Sequence, residues 1–325
     1  MTEIGYALSS EEHGPNDLVH LARRAEEVGF TFALISDHYH PWTDRQGHSP
    51  FAWSVLGGIA HATQHLRVGT GVTCPTMRYH PAMLAQMAAT IGGMMPGRFF
   101  LGVGTGENLN EHILGARWPS APERREMLAE AVRVLRLLWQ GGEQSHRGRY
   151  YTVDHARIYD VPDPLPPIYV AAAGPESAKL AAQLGDGLVS VGPSADVVQA
   201  FQAAGGAGKP RYGQVHVCWA PSDAEARRVA REWWPTAAVP GELGQELPLP
   251  RHFEQATRHV TEDEVAQSLL CSADPEAHVA KVQELARAGF DHVYVAQAGP
   301  DQEGFFRFYE REVLPRLRRQ LDVAA

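Results

Sequence analysis

Lysine is nearly absent from this 325-residue chain: Lys179, Lys209 and Lys281 are the only three, and every other basic residue is arginine. The net charge is −9, so there is no basic surplus of the kind that binds nucleic acid non-specifically. Cysteine is scarce as well. Cys74, Cys218 and Cys271 are odd in number and lack CxxC or CxH spacing, which excludes a disulfide framework or a zinc knuckle and fits a reducing compartment. No apolar run approaches the roughly 18 residues a membrane span needs. The opening MTEIGYALSSEEHGP has no basic stretch ahead of an apolar one. A cytoplasmic protein without membrane or nucleic-acid partners is expected. Repeats, low-complexity tracts and linkers are missing too, so one domain over residues 1–325 is expected.

What is present is a rhythm. EIGYALSS, FALISDH, LRVGTGVTCP, RFFLGVGTGE, PIYVAAAG, GLVSVG, YGQVHVCWA and HVYVAQAG are short apolar runs, and an amphipathic or apolar helical segment follows each. Continuous apolar runs are the pattern of parallel strands buried on both faces, with the helices as crossovers. Eight such units predict a (β/α)8 TIM barrel rather than an open sheet. Two stretches interrupt the rhythm. Residues 107–166 add the helix RREMLAEAVRVLRLLW and a hairpin around GRYYTVDHARIYD, after strand four. Residues 236–261, rich in Pro, Gly and Leu, follow strand seven. Insertions at the C-terminal ends of barrel strands build substrate pockets.

Barrel active sites sit at those strand ends, which makes the residues there the candidates. Strand two ends in Asp37-His38, followed by His40 and Trp42, and strand three in Gly71-Val72-Thr73-Cys74. Strand four ends in Gly104-Thr105-Gly106-Glu107, followed by Asn108 and Asn110, and strand five in Ala173-Gly174-Pro175. His38-Tyr39-His40 has the spacing with which two imidazoles share a metal, the reading of a metal-dependent barrel hydrolase. No later strand end supplies the further ligands, so no metal is expected. Acid/base chemistry fits better: His38 exchanges a proton near neutral pH, with Asp37 or a backbone group fixing its tautomer, and Glu107 faces it across the mouth. The bland alternatives are a solvated imidazole and a helix-capping carboxylate. GTG (69–71) and GVGTG (102–106) suit close approach of a flat cofactor or tight barrel packing. Their spacing is not the GxGxxG fingerprint. Gly174-Pro175 opens a helix whose N-terminus suits a phosphate, or is an ordinary Pro-N1 start.

SDHYHPW, GTGVTCPTMRYHPA and FFLGVGTGENLNEHILG resemble the luciferase-like barrels that use the deazaflavin coenzyme F-420, above all the branch that contains F-420-dependent glucose-6-phosphate dehydrogenase. RGRYYTVDHARIYDVPD, VAAAGPESAKLAAQLGDG, SADPEAHVAKV and LPRLRRQL extend the likeness over nearly the whole chain. The resemblance implies hydride transfer between a substrate alcohol carbon, or the corresponding carbonyl, and C5 of the deazaflavin. It places His38, Trp42 and Glu107 at catalytic positions, with acid and base unassigned between His38 and Glu107. It places Asp37, Cys74, Thr105, Gly106 and Asn110 at cofactor-contacting positions, with Cys74 in place of a usual threonine. It implies a non-prolyl cis peptide at Gly71-Val72 behind the ring, a phosphate seat at Ala173 and Gly174, and a homodimer.

One departure bears on the substrate. Sugar-phosphate members of that branch hold the phosphate with two lysines and an arginine, and the aligning positions here are Ser194, Gly244 and Ser268. Ser194, Ser268 and His40 are therefore substrate-pocket candidates, and glucose-6-phosphate is expected to be a poor substrate because a dianion would lack charge-assisted contacts. Three alternatives stay open: a sugar-phosphate dehydrogenase with another anion clamp, such as Arg251 or Arg258; a flavin mononucleotide (FMN) monooxygenase on the same barrel; and the metal-dependent hydrolase.

Overall fold

The structure is a computed structural model that describes residues 2–323, with side chains through Arg319. Its eight barrel strands are β1 (Glu3–Leu8), β2 (Phe32–Ile35), β3 (Arg67–Thr70), β4 (Phe99–Val103), β5 (Ile168–Ala171), β6 (Gly187–Val191), β7 (Arg211–Cys218) and β8 (His292–Gln297). All pair in parallel, in the order β7-β8-β1-β2-β3-β4-β5-β6, and β6 closes on β7 through Leu188↔Arg211 to Val191↔Gln214. This is the expected (β/α)8 barrel. A two-residue strand, Leu270–Cys271, which the apolar pattern did not announce, adds to the edge of β7 at Val217 and Cys218.

The strands form where the chain is apolar on both faces: every residue of β2 and β4 is buried. Alternation sends Phe32 and Leu34 of β2, Phe100 of β4, Tyr169 of β5, Val189 of β6, Tyr212 of β7 and Tyr294 of β8 into one interior cluster. Its aromatic rings lie 5.0–5.2 Å apart. Gly69 makes room for this layer, since a Cβ there would stand 2.1 Å from the Phe100 ring. The outward-facing residues meet the helices. Pro15–Val28 begins with Pro at its first turn, presents Leu18, Leu21, Ala22, Ala25 and Val28 to the sheet, and stops at Gly29. Gly29 adopts φ 101°, and its N–H bonds to the carbonyls of Ala25 and Glu26. A fully buried leucine such as Leu56 stabilises the fold by about 1.5–3 kcal/mol, and Leu56→Ala would cost about 2–5 kcal/mol.

The bottom of the barrel is closed by ion pairs, Arg67 with Glu3 and Arg211 with Asp291. The top is shaped by the two insertions. The first contains the short helix Asn108–Glu111, the helix Ala121–Leu138 and the hairpin Gln144–Arg147/Thr152–Ala156. The second contains the helices Leu243–Glu246 and Pro250–Thr257 and is followed by the helix Glu262–Ser268. They are tied together where Asn108 Nδ2 donates to the Glu246 carbonyl (2.9 Å) and buried Arg124 reaches Glu246 Oε1 (3.3 Å). Among the described residues no helix is long and apolar enough to cross a membrane.

Candidate active site

Just beyond β2 the chain turns alternate side chains in opposite directions. Asp37 continues the outward face of Ala33 and Ile35, toward the helix that carries Trp53, and is buried. Its Oδ2 accepts from Thr73 Oγ1 (2.7 Å) and Trp53 Nε1 (3.2 Å), and its Oδ1 from Tyr79 OH (3.1 Å) and Arg78 Nη2 (3.2 Å). Arg78 also bonds the Asp37 carbonyl (2.7 Å), and its backbone N–H and Nε meet the two Glu111 oxygens at 2.8 and 3.5 Å. One buried guanidinium thus ties together the segments that follow β2, β3 and β4. Burial pushes Glu111 up to about 7 against the opposing pull of Arg78.

His38 points the other way. Its Nδ1–H donates to the His40 carbonyl (3.2 Å); a carbonyl only accepts, so Nδ1 carries the proton and Nε2 is the nitrogen that can take one up. Nε2 lies 3.4 Å from Oε1 of Glu11, just beyond the end of β1. Burial alone would raise the Glu11 carboxyl, but His38 in its protonated form and the hydroxyls of Ser36 (2.5 Å) and Ser9 (3.1 Å) hold it below its ordinary value. The Trp42 ring stands 5.1 Å from the His38 ring and meets Phe253 of the second insertion edge-on at 5.2 Å.

Glu107 precedes the helix Asn108–Glu111 and makes no side-chain cap bond to it. Asn110 connects it to the β2 loop: Nδ2 donates to Glu107 Oε2 (3.3 Å), while Oδ1 accepts from the N–H groups of Tyr39 (2.9 Å) and His40 (3.3 Å). The fully buried amide therefore fixes the two candidate proton carriers relative to each other. His40 is turned to the same segment, with Nδ1 against the Leu109 carbonyl (2.9 Å) and its ring stacked on His112 at 5.7 Å.

The other side of the mouth is built from small residues. The Gly71-Val72 peptide is cis. Val72 packs on the interior cluster, and a Cβ at Gly104 would meet Val72 Cγ2 at 2.7 Å and the Ala171 Cβ at 3.3 Å. Cys74 is buried, its Sγ 3.0 Å from Thr76 Oγ1, and burial pushes its thiol up. Gly106 follows Thr105 with φ 76°, and a Cβ there would lie 2.5 Å from the Cys74 sulfur, which only glycine avoids. Ala173 is exposed, and Gly174 opens the helix Pro175–Leu184, whose first N–H groups have no intrahelical partner. Val191, in register with inward-facing Val189, is 67% exposed.

The model of the luciferase-like monooxygenase family matches residues 1–292. The chain belongs to that family. Within it, the chain is 38% identical to an F-420-dependent glucose-6-phosphate dehydrogenase of Microbacterium testaceum, over 98% of both chains. It is 36% identical to the enzyme of the same name from Mycolicibacterium gilvum, again over 98% of both. Among solved structures, an F-420-dependent secondary alcohol dehydrogenase in complex with an F-420–acetone adduct superposes with a TM-score of 0.90 at 32% identity. That match covers 97% of this chain and 99% of the other. The F-420-dependent tetrahydromethanopterin reductase of Methanopyrus kandleri, at 22% identity and TM-score 0.79, shares the fold.

In this family member the remaining candidates lie further out. Ser194 precedes the helix Ala195–Phe201, Ser268 is exposed at the end of Glu262–Ser268, and Arg251 and Arg258 are exposed on the second insertion. Among the described residues no group of three or more His, Cys, Asp or Glu is disposed to hold a metal ion. Reading from β2 to β5 missed Glu11, Arg78 and, on β7, His216. Extending the strand-end rule to β1 reaches SSEEH and hence Glu11; no local signal links Arg78 to Asp37, 41 residues away.

Proposed function

We propose that the chain is an F-420-dependent oxidoreductase acting on CH–OH groups, with the whole chain forming one barrel domain. The observation that carries this reading is the orientation of His38: Nδ1 is locked on a carbonyl, and Nε2 faces a buried carboxylate beside the Trp42 ring. Relatives and structural neighbours named for F-420-dependent alcohol and sugar-phosphate oxidation support it.

The residues present fit the coenzyme. Val72, Gly104 and Ala171 meet in an apolar surface on which a flat ring would lie, and exposed Val191 stands two residues beyond Val189, the partner of Ala171. The N-terminus of Pro175–Leu184, at Gly174, suits a phosphate. When bound, F-420 supplies a hydride acceptor at C5 of its deazaflavin.

The chain's own groups do the rest. His38 Nε2 removes the alcohol proton as the C–H bond breaks. Glu11 stabilises the imidazolium so formed, with Ser9 and Ser36 bonded to its other oxygen. Trp42, braced by Phe253, walls the substrate and keeps water from it. Glu107, held by Asn110, holds or delivers a proton on the β4 side. Because the family resemblance aligns Ser194, Gly244 and Ser268 with the cations of sugar-phosphate enzymes, we take the substrate to be an unphosphorylated alcohol or sugar, or its carbonyl. We place the enzyme in the cytoplasm as a homodimer. The test is F-420 reduction by a panel of secondary alcohols, sugars and sugar phosphates: alcohols are expected to turn over well and glucose-6-phosphate poorly. Comparable turnover of both classes would overturn the substrate assignment.

A further inference from the structure

The mouth of the barrel divides in two. Segments at the ends of β3 to β6 contribute the small and apolar residues already described, whereas β7, β1 and β2 contribute His216, Glu11, Ser36 and His38. Three of these positions have roles in the dehydrogenase reading; His216 has none.

His216 shares its face of β7 with Tyr212 and Gln214, so it points to the barrel axis, one layer above Gln214 and two above Tyr212 in the interior cluster. It is partly exposed, as a group reachable from the mouth must be. Its ring is held against Trp234, 4.7 Å away. Below it a chain of hydrogen bonds sets its proton: Tyr294 OH donates to Gln214 Oε1 (3.2 Å), which turns the Gln214 amide nitrogen toward His216 Nε2 (3.2 Å). An amide nitrogen only donates, so Nε2 accepts and Nδ1 carries the hydrogen. Among the described residues nothing accepts from Nδ1. Burial lowers the imidazole to about 4, opposed by the nearby Glu11 carboxylate, so the ring is neutral at physiological pH.

We infer that His216 is a specificity-determining residue, which recognises through its Nδ1–H a second, uncharged oxygen of the substrate while His38 handles the reacting hydroxyl. Trp42, 5.1 Å from the His38 ring, packs against the cluster that contains Trp234, whose ring holds His216, so a molecule whose hydroxyl meets His38 Nε2 extends along this wall toward β7. A neutral donor there suits a hydroxyl or carbonyl and offers nothing to a phosphate dianion, which Glu11 would also repel. The substrate class is therefore a polyol or hydroxy-carbonyl compound rather than a simple alcohol or a sugar phosphate. This inference rests on the dehydrogenase reading.

The test compares 2-propanol with 1,2-propanediol, which differ by one hydroxyl. The wild-type protein, loaded with F-420, should favour the diol in kcat/KM, and His216→Ala should reduce that preference about 3- to 10-fold, as expected for loss of one neutral hydrogen bond. The ratio is independent of how much active enzyme survives the substitution. His216→Asn, which keeps an N–H near the position of Nδ1, should restore most of it. A ratio that His216→Ala leaves unchanged, or a wild type indifferent to the second hydroxyl, would overturn the inference. A second readout needs no coenzyme: nitrogen-15 NMR of the histidine rings should find His216 neutral at pH 7 with its proton on Nδ1. A proton on Nε2 would overturn the arrangement. Failure of the wild type to bind F-420 would instead overturn the dehydrogenase reading, and the NMR result separates the two failures.

Discussion

Glu11→Gln isolates the charge that the structure places behind the base. The glutamine side chain has the same length and keeps an oxygen for the Ser9 and Ser36 hydroxyls, so packing around this buried position is retained. What is lost is a negative charge 3.4 Å from His38 Nε2. At that separation two unit charges interact by about 5 kcal/mol for an effective dielectric of about 20. The amide dipole and local solvent recover part of this, leaving the ~1.5–3 kcal/mol characteristic of a hydrogen bond to a charged group. Because His38 becomes cationic only as it takes the alcohol proton, the loss falls on the transition state and not on the bound substrate. The expected result is a fall in kcat of about 10- to 150-fold with little change in KM. The assay is stopped-flow loss of oxidised deazaflavin absorbance with a secondary alcohol, after fluorescence titration has established that the variant binds F-420. A kcat within about twofold of wild type, in a variant that binds the coenzyme normally, would refute the role given to Glu11.

His38→Ala and Glu107→Gln should each lower turnover by about 100-fold or more, and near-normal rates in either would remove that residue from the mechanism. Arg78→Met leaves Asp37 and Glu111 buried without their shared cation, which should cost about 3–5 kcal/mol in urea denaturation; a loss below about 1 kcal/mol would contradict the clamp described above. Glu12 is buried with its Oε2 unpartnered, and burial raises its carboxyl to about 8 from 4.5. The folded protein then keeps a proton that the unfolded chain has released, so this group's contribution to stability declines as pH rises from about 4.5 to about 8. Glu12→Gln should remove that decline. Thermal melts of both proteins at about pH 5 and about pH 8 would show it, and equal pH dependence would contradict the assignment.

The barrel was legible because its signal is local. Each strand is an apolar run followed by a helix, and FALI and FFLGV are buried throughout, as their composition implies. The strand-end rule led directly to His38, Glu107 and the segment around Gly71-Val72, whose cis peptide the family resemblance implied. The ambiguity over the glycines resolves in favour of packing at Gly69 and Gly102, where a Cβ would strike Phe100 and the Thr70 carbonyl. What could not be read is pairing across the barrel. Of the two partners offered for the His38 tautomer, Asp37 or a backbone group, it is the His40 carbonyl that fixes the proton, while Asp37 serves Arg78, Tyr79, Thr73 and Trp53. His146, His155 and His20, which look partnerless along the chain, lie 3.2, 2.7 and 3.5 Å from Glu130, Glu143 and Glu303. Such contacts depend on how strands and insertions are brought together, and no spacing rule encodes them.

The central claim is that this mouth binds a deazaflavin and passes a hydride to it from an alcohol. Titrating the purified protein into oxidised F-420, and separately into FMN, and then adding 1,2-propanediol to each mixture tests it most directly. The account predicts quenching of deazaflavin fluorescence at micromolar protein, followed by loss of oxidised F-420 absorbance when the alcohol is added. Binding of FMN alone, or tight F-420 binding with no reduction by any alcohol or sugar, would contradict it.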